Sequence, residues 1–98
     1  MAGVEQRTVS GTVVDILARI SSDGGNVVEI RMATAGGDHK AMAHGDKATT
    51  AQKLREKIEA LMKANGRSSI KELNVPLEVQ GIAKDPQTTV VTAMKIAG

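Results

Sequence analysis

One helix signature, with strand and turn patterns on both sides of it, constrains the fold of this chain more than any other feature. Within segment 49–65, TTAQKLREKIEALMKAN, apolar residues recur at the helical period of about 3.6 residues, and charged residues cover the other sides. The apolar stripe consists of Ala51, Leu54, Ile58, Leu61 and Met62. A single helix of this kind in a β-rich sequence predicts a mainly β protein, against whose strands this stripe packs.

Both ends of the helix carry a signal. Thr49 and Gln52 have the spacing of a capping box, in which the two side chains bond backbone N–H groups at the start of the helix. Gly66 follows Asn65 and supplies the left-handed conformation that commonly ends a helix. We therefore predict a helix over 49–65 that stops at Gly66.

Three strands are predicted before the helix. Segment 7–20, RTVSGTVVDILARI, is rich in β-branched residues, and Gly11 in its interior indicates a bulge or bend after which the buried face changes. A long, bent first strand suits a small closed barrel, because it can pair with both of its neighbours. Glycine-rich turns separate it from segment 27–34, which alternates apolar and charged residues, and from a shorter strand over 39–44. The apolar face of segment 27–34 consists of Val28, Ile30 and Met32.

Two further strands are predicted after the helix. Ser69 and Glu72 again have capping-box spacing, which indicates one short helical turn over 70–73. Pro76 ends that turn. The remaining elements are strands over 77–83 and 88–96, joined by a turn over 84–87 that contains Pro86.

The size and composition of the chain indicate one soluble domain. Its 98 residues fit a flexible N-terminal tail over 1–6 and a single domain over 7–98. Aromatic residues make up 0% of the chain, so Val, Ile, Leu, Met and Ala must fill the core. These side chains each bury less area than an aromatic ring, so we expect modest stability, to which a partner or self-association would add.

Other counts bear on location and partners. The chain has no cysteine, which excludes disulfides and thiolate metal sites. No apolar run approaches the ~18 residues of a membrane span, and the first ten residues lack the apolar core of a signal peptide. We therefore expect a cytoplasmic protein without a membrane role. The net charge is +2, with the basic excess in the second half of the chain.

The order of three strands, one helix and two strands resembles the OB-fold, a five-stranded Greek-key barrel with a helix between its third and fourth strands. The segments that carry the resemblance are VSGTVVDI with its bend glycine, VVEIRM, the helix, and LEVQGIAKDP with Gly81. It covers roughly residues 7–96 and implies a mainly β fold with one helix, in the order β-β-β-α-β-β. An SH3-like barrel is the main alternative, but it would not place a long helix after the third strand.

The residues that carry catalysis or metal binding in other proteins do not form a recognisable site in this sequence. His39 and His44 are five positions apart, so on a regular strand they point to opposite faces, and we expect two ordinary exposed or edge histidines. The glycine pairs lack the Lys-Ser, Lys-Thr or GxGxxG context of a phosphate loop. The carboxylates of Asp15, Glu29 and Asp85 have no spacing that places two on one face. We therefore predict a non-enzyme without a cofactor.

The OB-fold resemblance implies where a ligand would bind. OB-folds that bind single strands use the face of the second and third strands with the first and last hairpin loops. In this chain those loops are 21–26 and 84–87, and the implied nucleic-acid-binding residues are Arg19, Arg31, His39, Lys40 and Lys84. Without aromatic rings for stacking, such binding would be weak, salt-sensitive and largely electrostatic.

Three functions stay open on the sequence. The first is a module that binds single-stranded DNA or RNA. The second is a protein-contact or assembly domain, because the Val-rich first and last strands offer exposed edges. The third is small-ligand or oxyanion binding, since the opening GTVVDI is similar to that of small molybdate-binding domains. The positive charge on the helix is interpreted as a solvated helix face, away from the expected groove.

Overall fold

The computed structural model describes residues 6–20, 22 and 24–96. Five strands, one α-helix and one 3-10 turn follow one another in the predicted order. They are β1 (Gln6–Ile20), β2 (Asn26–Thr34), β3 (Gly37–His44), α1 (Asp46–Ala64), the 3-10 turn (Ile70–Leu73), β4 (Pro76–Asp85) and β5 (Thr88–Ile96). Within the described residues no helix is both long and apolar enough to cross a membrane.

The strands close into a barrel in the order β1-β2-β3-β5-β4. All neighbouring pairs are antiparallel except β3 and β5, which pair in parallel over Lys40–Met42. β1 pairs with β4 through its first half and with β2 through its second half, and the two ladders meet at Thr12. The first strand is therefore shared between two sheets, as its length and bend predict. It begins one residue early, so Gln6 lies in β1, while the rest of the predicted tail lies outside the described residues.

The predicted change of buried face in β1 occurs, but at a different residue. The ladder with β2 shifts between Val13 and Asp15, so Val14 is the bulged residue. Val13 and Ile16 are both buried on either side of it. Gly11 has another role, because a Cβ there would collide with the carbonyl oxygen of Ala33. The bulge therefore lies at Val14 rather than at Gly11, and Gly11 is the position at which β1 and β2 approach closely.

The helix begins earlier than its sequence signature predicts. Its first residue is Asp46, and Gly45 lies at the N-cap with φ 57° and no side-chain cap. The backbone N–H of Thr49 donates to the Gly45 carbonyl at 3.3 Å, so Thr49 belongs to the first turn. The capping box of Thr49 and Gln52 is therefore wrong, because the chain enters the helix through the positive φ of Gly45.

The predicted end of the helix is confirmed. Gly66 has φ 64°, and the N–H of Arg67 donates to the carbonyl of Met62 at 2.8 Å. The N–H of Gly66 donates to the Lys63 carbonyl at 3.4 Å. This pair of bonds is a Schellman motif, which satisfies carbonyls left free at a helix C-terminus.

The helix packs onto the barrel by most of its predicted stripe. Ala51 and Ile58 are fully buried, and Leu54 and Met62 pack against the core from partly buried positions. Leu61 is 42% exposed, so its prediction as a core residue is wrong. At 3.6 residues per turn Leu61 lies about 60° around the helix from Ile58, whereas Leu54 and Met62 lie only about 40° away.

The interior of the barrel consists of aliphatic side chains and methionine. The predicted inward face of β2 is confirmed, since Val28, Ile30 and Met32 are each at most 1% exposed. Small residues oppose them on β3, where Ala41 and Ala43 are fully buried. This alternation fixes which residues of β2 and β3 point away from the core.

Candidate functional site

The outward-pointing residues of β1, β2 and β3 form one continuous surface, called here the outer face. Its three cross-strand rows follow from the ladders that join these strands. The rows are Asp15, Arg31 and Lys40; Leu17, Glu29 and Met42; and Arg19, Val27 and His44.

Three of the five predicted binding residues lie on this outer face. Arg31 and Lys40 are direct cross-strand partners in one row, and Arg19 lies two rows away on β1. The Arg31 and Arg19 side chains are 48% and 55% exposed. Lys40 is also exposed. The structure therefore brings these three cations together on one surface.

His39 does not belong to that surface. It is 7% exposed and points inward with Ala41 and Ala43, whereas His44 is exposed on the outer face. The opposite orientation of the two histidines is as predicted, but the expectation that both are exposed or edge residues is wrong for His39. The alternation of side chains along a strand could have predicted this, because consecutive residues such as His39 and Lys40 cannot share a face of a regular strand.

His39 is part of a buried hydrogen-bond network. Its Nε2 lies 2.7 Å from Oγ1 of Thr89, which is fully buried on β5 and also accepts from Nε of Arg7 at 2.8 Å. Burial lowers the pKa of His39 below its ordinary value of 6.5, the positive charge of Arg7 lowers it further, and the negative charge of Asp85 opposes the shift. His39 is therefore neutral at pH 7 and acts as a structural group.

The same arginine holds the hairpin between β4 and β5 against the barrel. Nη2 of Arg7 donates to the carbonyls of Asp85 at 2.7 Å and Thr88 at 2.6 Å. Within the hairpin, the N–H of Gln87 donates to Oδ1 of Asp85 at 2.9 Å. Arg7 was not singled out from the sequence, because its partners lie about 80 positions away and no local pattern marks them.

The hairpin borders the outer face at β3. The N–H of Lys40 donates to the carbonyl of Gln87 at 2.8 Å. A groove of about 420 Å³ opens there, and its lining includes Arg31, Lys40, Gln87, Asp38 and His39. His39 thus borders the same groove as Arg31 and Lys40 although it is almost fully buried, and Asp38 places a carboxylate beside the two cations. Lys84 is exposed on the same hairpin but does not line the groove. A chain bound in this groove would meet cations from β2 and β3 and the hairpin beside them.

Glu29 lies in the middle row of the outer face, between the rows of the three cations, and was also missed. It is 5% exposed, its Oε2 accepts from Nε of Arg31 at 2.8 Å, and its Oε1 lies 3.9 Å from Nη2 of Arg19. The bond from Arg31 lowers the pKa of the Glu29 carboxyl, burial opposes this, and the charge of Arg19 lowers it further. The carboxylate therefore stays ionised and offsets part of the positive charge around it.

A second carboxylate shares this surface. Asp15 lies opposite Arg31 in its row, so Asp15 and Glu29 share the outer face although their spacing in the sequence did not indicate it. The bulge at Val14 turns Asp15 outward, and the sequence spacing of two residues on different strands carries no information about their shared face. The outer face is therefore of mixed charge rather than uniformly basic.

The basic residues of α1 and of the segment just after it are not part of the outer face, and some of them are paired. Arg55 contacts Glu59 at 2.9 Å, and Arg67 lies 4.0 Å from Glu72. A cavity of about 690 Å³ lies between this part of the molecule and the bulge of β1. Its lining includes Lys63 and Arg67 on one side and Val14 and Asp15 on the other, so it borders the outer face at Asp15 and the hairpin groove at Val14. These exposed pairs are typical of a solvated helix surface.

Comparison with known proteins supports the architecture at the level of fold. No family model and no curated protein sequence matches the chain. A solved structure similar to it is the mitochondrial single-stranded DNA-binding protein Rim1 from S. cerevisiae, with a TM-score of 0.59 and 7% identity over 97% of this chain and 96% of that one. The closed barrel, its strand order and the helix after the third strand agree with this likeness. The chain has an OB fold.

Proposed function

We propose that this protein binds single-stranded nucleic acid, weakly and mainly by electrostatic attraction, on the outer face and at the hairpin between β4 and β5. The proposal rests mainly on the position of Arg31 beside Lys40. These exposed cations lie directly opposite each other on β2 and β3 and line the groove beside the hairpin. Two cations at cross-strand distance can contact neighbouring phosphates of one extended strand.

The fold gives the proposal independent support. OB-folds commonly use the face of β2 and β3, flanked by hairpin loops, to bind oligonucleotides. The similar solved structure is that of a protein named for binding single-stranded DNA. A fold alone does not determine a function, so the proposal depends on the residues of the outer face.

The composition of the surface determines the character of the binding. The chain has no Phe, Tyr or Trp, so on the outer face only the ring of His44 and the planes of the arginines could stack on a base. Glu29 and Asp15 also offset part of the positive charge. If Arg31, Lys40 and Lys84 each neutralise one phosphate, the logarithm of the binding constant falls by about 2 for each tenfold rise in salt.

Fluorescence anisotropy with labelled oligo-dT and oligo-U in a salt titration tests the proposal. We expect binding of both at low salt, with loss of most affinity in the double variant Arg31→Ala, Lys40→Ala. The matched control Lys57→Ala, Lys71→Ala removes the same charge away from the outer face and its groove, and should retain most of the affinity. Absence of binding at low salt and micromolar protein, or equal losses in both double variants, would contradict the proposal.

A second candidate, a protein-contact or assembly role, has one structural observation in its favour. The ladder between β1 and β2 starts at Thr12, so Gln6–Gly11 pairs with β4 only within the described residues. Likewise β5 pairs with β3 only as far as Val90 in the described part of the chain. Each segment thus keeps one edge that another strand could join. Sedimentation analysis showing a strict monomer at high protein concentration would count against this role.

A further inference from the structure

A second surface of the molecule combines apolar and basic residues. A groove of about 230 Å³ lies between α1 and the ends of β4 and β5. Its apolar lining consists of Leu54 on the helix, Leu77 on β4, and Met94 and Ile96 on β5. Ile96 is 41% exposed. Leu61, which is 42% exposed, lies about 20° around the helix from Leu54 and about two turns further along it, outside the groove.

Lysines form the rim of this groove. Lys53 and Lys57 border it on the helix, and Lys95 borders it on β5. Lys95 has a partner, Glu78, at 3.4 Å, whereas the ion pairs found among the described residues include none to Lys53 or Lys57. None of the described residues that line the groove is acidic. An occupant with negative charge and apolar side chains therefore complements both the rim and the floor.

We propose that this groove docks an acidic, leucine-bearing segment of a partner protein. Apolar side chains of that segment lie on Leu54, Met94 and Ile96, and its carboxylates face Lys53 and Lys57. A helix laid into an apolar groove, with charges along its edges, is a common mode of peptide recognition. This proposal is independent of nucleic-acid binding, because the groove and the outer face have no residue in common.

Other occupants fit the surface less well. A nucleic acid would meet an aliphatic floor without a stacking ring. A second copy of this chain also carries net positive charge, which disfavours contact with a lysine rim. A partner of opposite charge avoids both difficulties.

The test uses the full chain and a fluorescent synthetic peptide with leucines at helical spacing and glutamates between them. Two matched peptides carry Gln for every Glu, or Ser for every Leu. We expect the acidic leucine peptide to bind and both matched peptides to bind at least about fivefold more weakly.

The variant Lys53→Glu, Lys57→Glu and the variant Ile96→Ser should each weaken binding to a similar degree. The control Lys63→Glu, Lys71→Glu should not. Thermal melting establishes that each variant is folded.

Amide shifts in two-dimensional NMR spectra locate the bound peptide. The proposal expects the largest changes around Leu54, Met94 and Ile96. It is overturned if no peptide binds up to about 1 mM, if the Gln peptide binds equally well, or if the shifts lie on the outer face. Three other results would assign the groove to a different occupant. Displacement of the peptide by oligo-dT would indicate a nucleic acid. Cosedimentation with anionic vesicles that is lost in Lys53→Glu, Lys57→Glu would indicate a membrane surface, and dimerisation that Ile96→Ser abolishes would indicate a second copy of the chain.

Discussion

Glu29 is the residue whose carboxylate most limits the affinity expected of the proposed binding surface. It is almost fully buried and holds Arg31 through a hydrogen bond of 2.8 Å, with Arg19 at 3.9 Å. A bound phosphate must compete with this carboxylate for the same guanidinium groups. We therefore expect Glu29 to lower the affinity of the outer face for a polyanion.

Glu29→Gln should strengthen nucleic-acid binding. The substitution keeps the shape and an acceptor for Arg31 but removes one negative charge, so we expect a three- to tenfold gain in affinity at low salt, equivalent to about 0.7–1.4 kcal/mol. Anisotropy with labelled oligo-dT measures the change. Glu72→Gln removes the same charge near Arg67, away from the outer face, and is the control. A loss of affinity in Glu29→Gln would mean that the carboxylate mainly positions Arg31.

His39 should make stability depend on pH in the weakly acidic range. Its folded-state pKa lies below the ordinary value of 6.5, so its contribution to stability is complete above about pH 6.5 and is lost as the pH falls below that value. Arg7 opposes its protonation, and Asp85 favours it. Urea unfolding between about pH 7.5 and 5 should give a smaller loss of stability in His39→Gln than in the wild type. His44→Gln, on the outer face of the same strand, is the control, and an equal effect of both substitutions would exclude this assignment.

Among the elements, the hairpin between β4 and β5 is held against the barrel by the side chain of Arg7 on β1, in addition to the backbone bond from Lys40 on β3. Arg7 supplies two bonds to hairpin carbonyls and one to Thr89. Hydrogen bonds from a charged group such as Arg7 are stronger than neutral ones. Because the three bonds end on the hairpin and on Thr89 beside it, we expect their loss to affect the hairpin more than the rest of the barrel.

Arg7→Met should loosen this hairpin while keeping most of the apolar stem. We expect about 1–3 kcal/mol of destabilisation and faster amide hydrogen exchange at Gln87 and Thr88 than at core positions of β2. The control Arg55→Met removes an exposed i,i+4 ion pair and should cost only about 0.3–0.5 kcal/mol. Uniform acceleration of exchange throughout the barrel in Arg7→Met would contradict a local role.

Gly81 lies opposite a bulge at Thr92 of β5, where β4 and β5 approach closely. The β4 and β5 ladder shifts between Gln80 and Gly81, and a Cβ on Gly81 would collide with the carbonyl oxygen of Val90. Gly81→Ala should therefore destabilise the protein by about 1–3 kcal/mol in urea unfolding. At Gly36 a Cβ would only meet Oγ1 of Thr34 at 3.9 Å, so Gly36→Ala is the matched control and should change stability little. Equal effects of the two substitutions would contradict a steric role for Gly81.

Elements were predictable from the sequence where the signal is local. Alternation in β2 identified its buried face, and Gly66 identified the end of α1, because both depend on adjacent residues. The start of α1 was missed because the chain enters the helix through the positive φ of Gly45, and no side chain caps the first turn. The bulge was misplaced because no side-chain pattern distinguishes Val14 from its β-branched neighbours.

At the scale of the whole molecule, the order of elements was sufficient to predict the OB fold, but the distribution of charge over its surface was not. Arg31 and Lys40 face each other because of the register of β2 and β3, and Glu29 joins them from the next row. The bond between Arg7 and Thr89 spans 82 positions of the chain. Contacts of this kind depend on the closed barrel, so no sequence window contains them.

For the whole molecule, the two proposed surfaces should differ in how the ionic strength changes the effect of their charge substitutions. Lys53→Glu, Lys57→Glu changes the net charge by four, from +2 to −2, without altering the outer face. At about 0.15 M salt the Debye length is about 8 Å, so distant charges are largely screened and oligo-dT affinity should change less than about twofold. At about 0.01 M salt the Debye length reaches about 30 Å, and the same variant should bind oligo-dT measurably less well.

The variant Arg31→Ala, Lys40→Ala should lose oligo-dT binding at both salt concentrations, because it removes direct contacts. It should still bind the acidic peptide. A loss of oligo-dT binding in Lys53→Glu, Lys57→Glu that persists at about 0.15 M salt would instead place the nucleic acid against the helix.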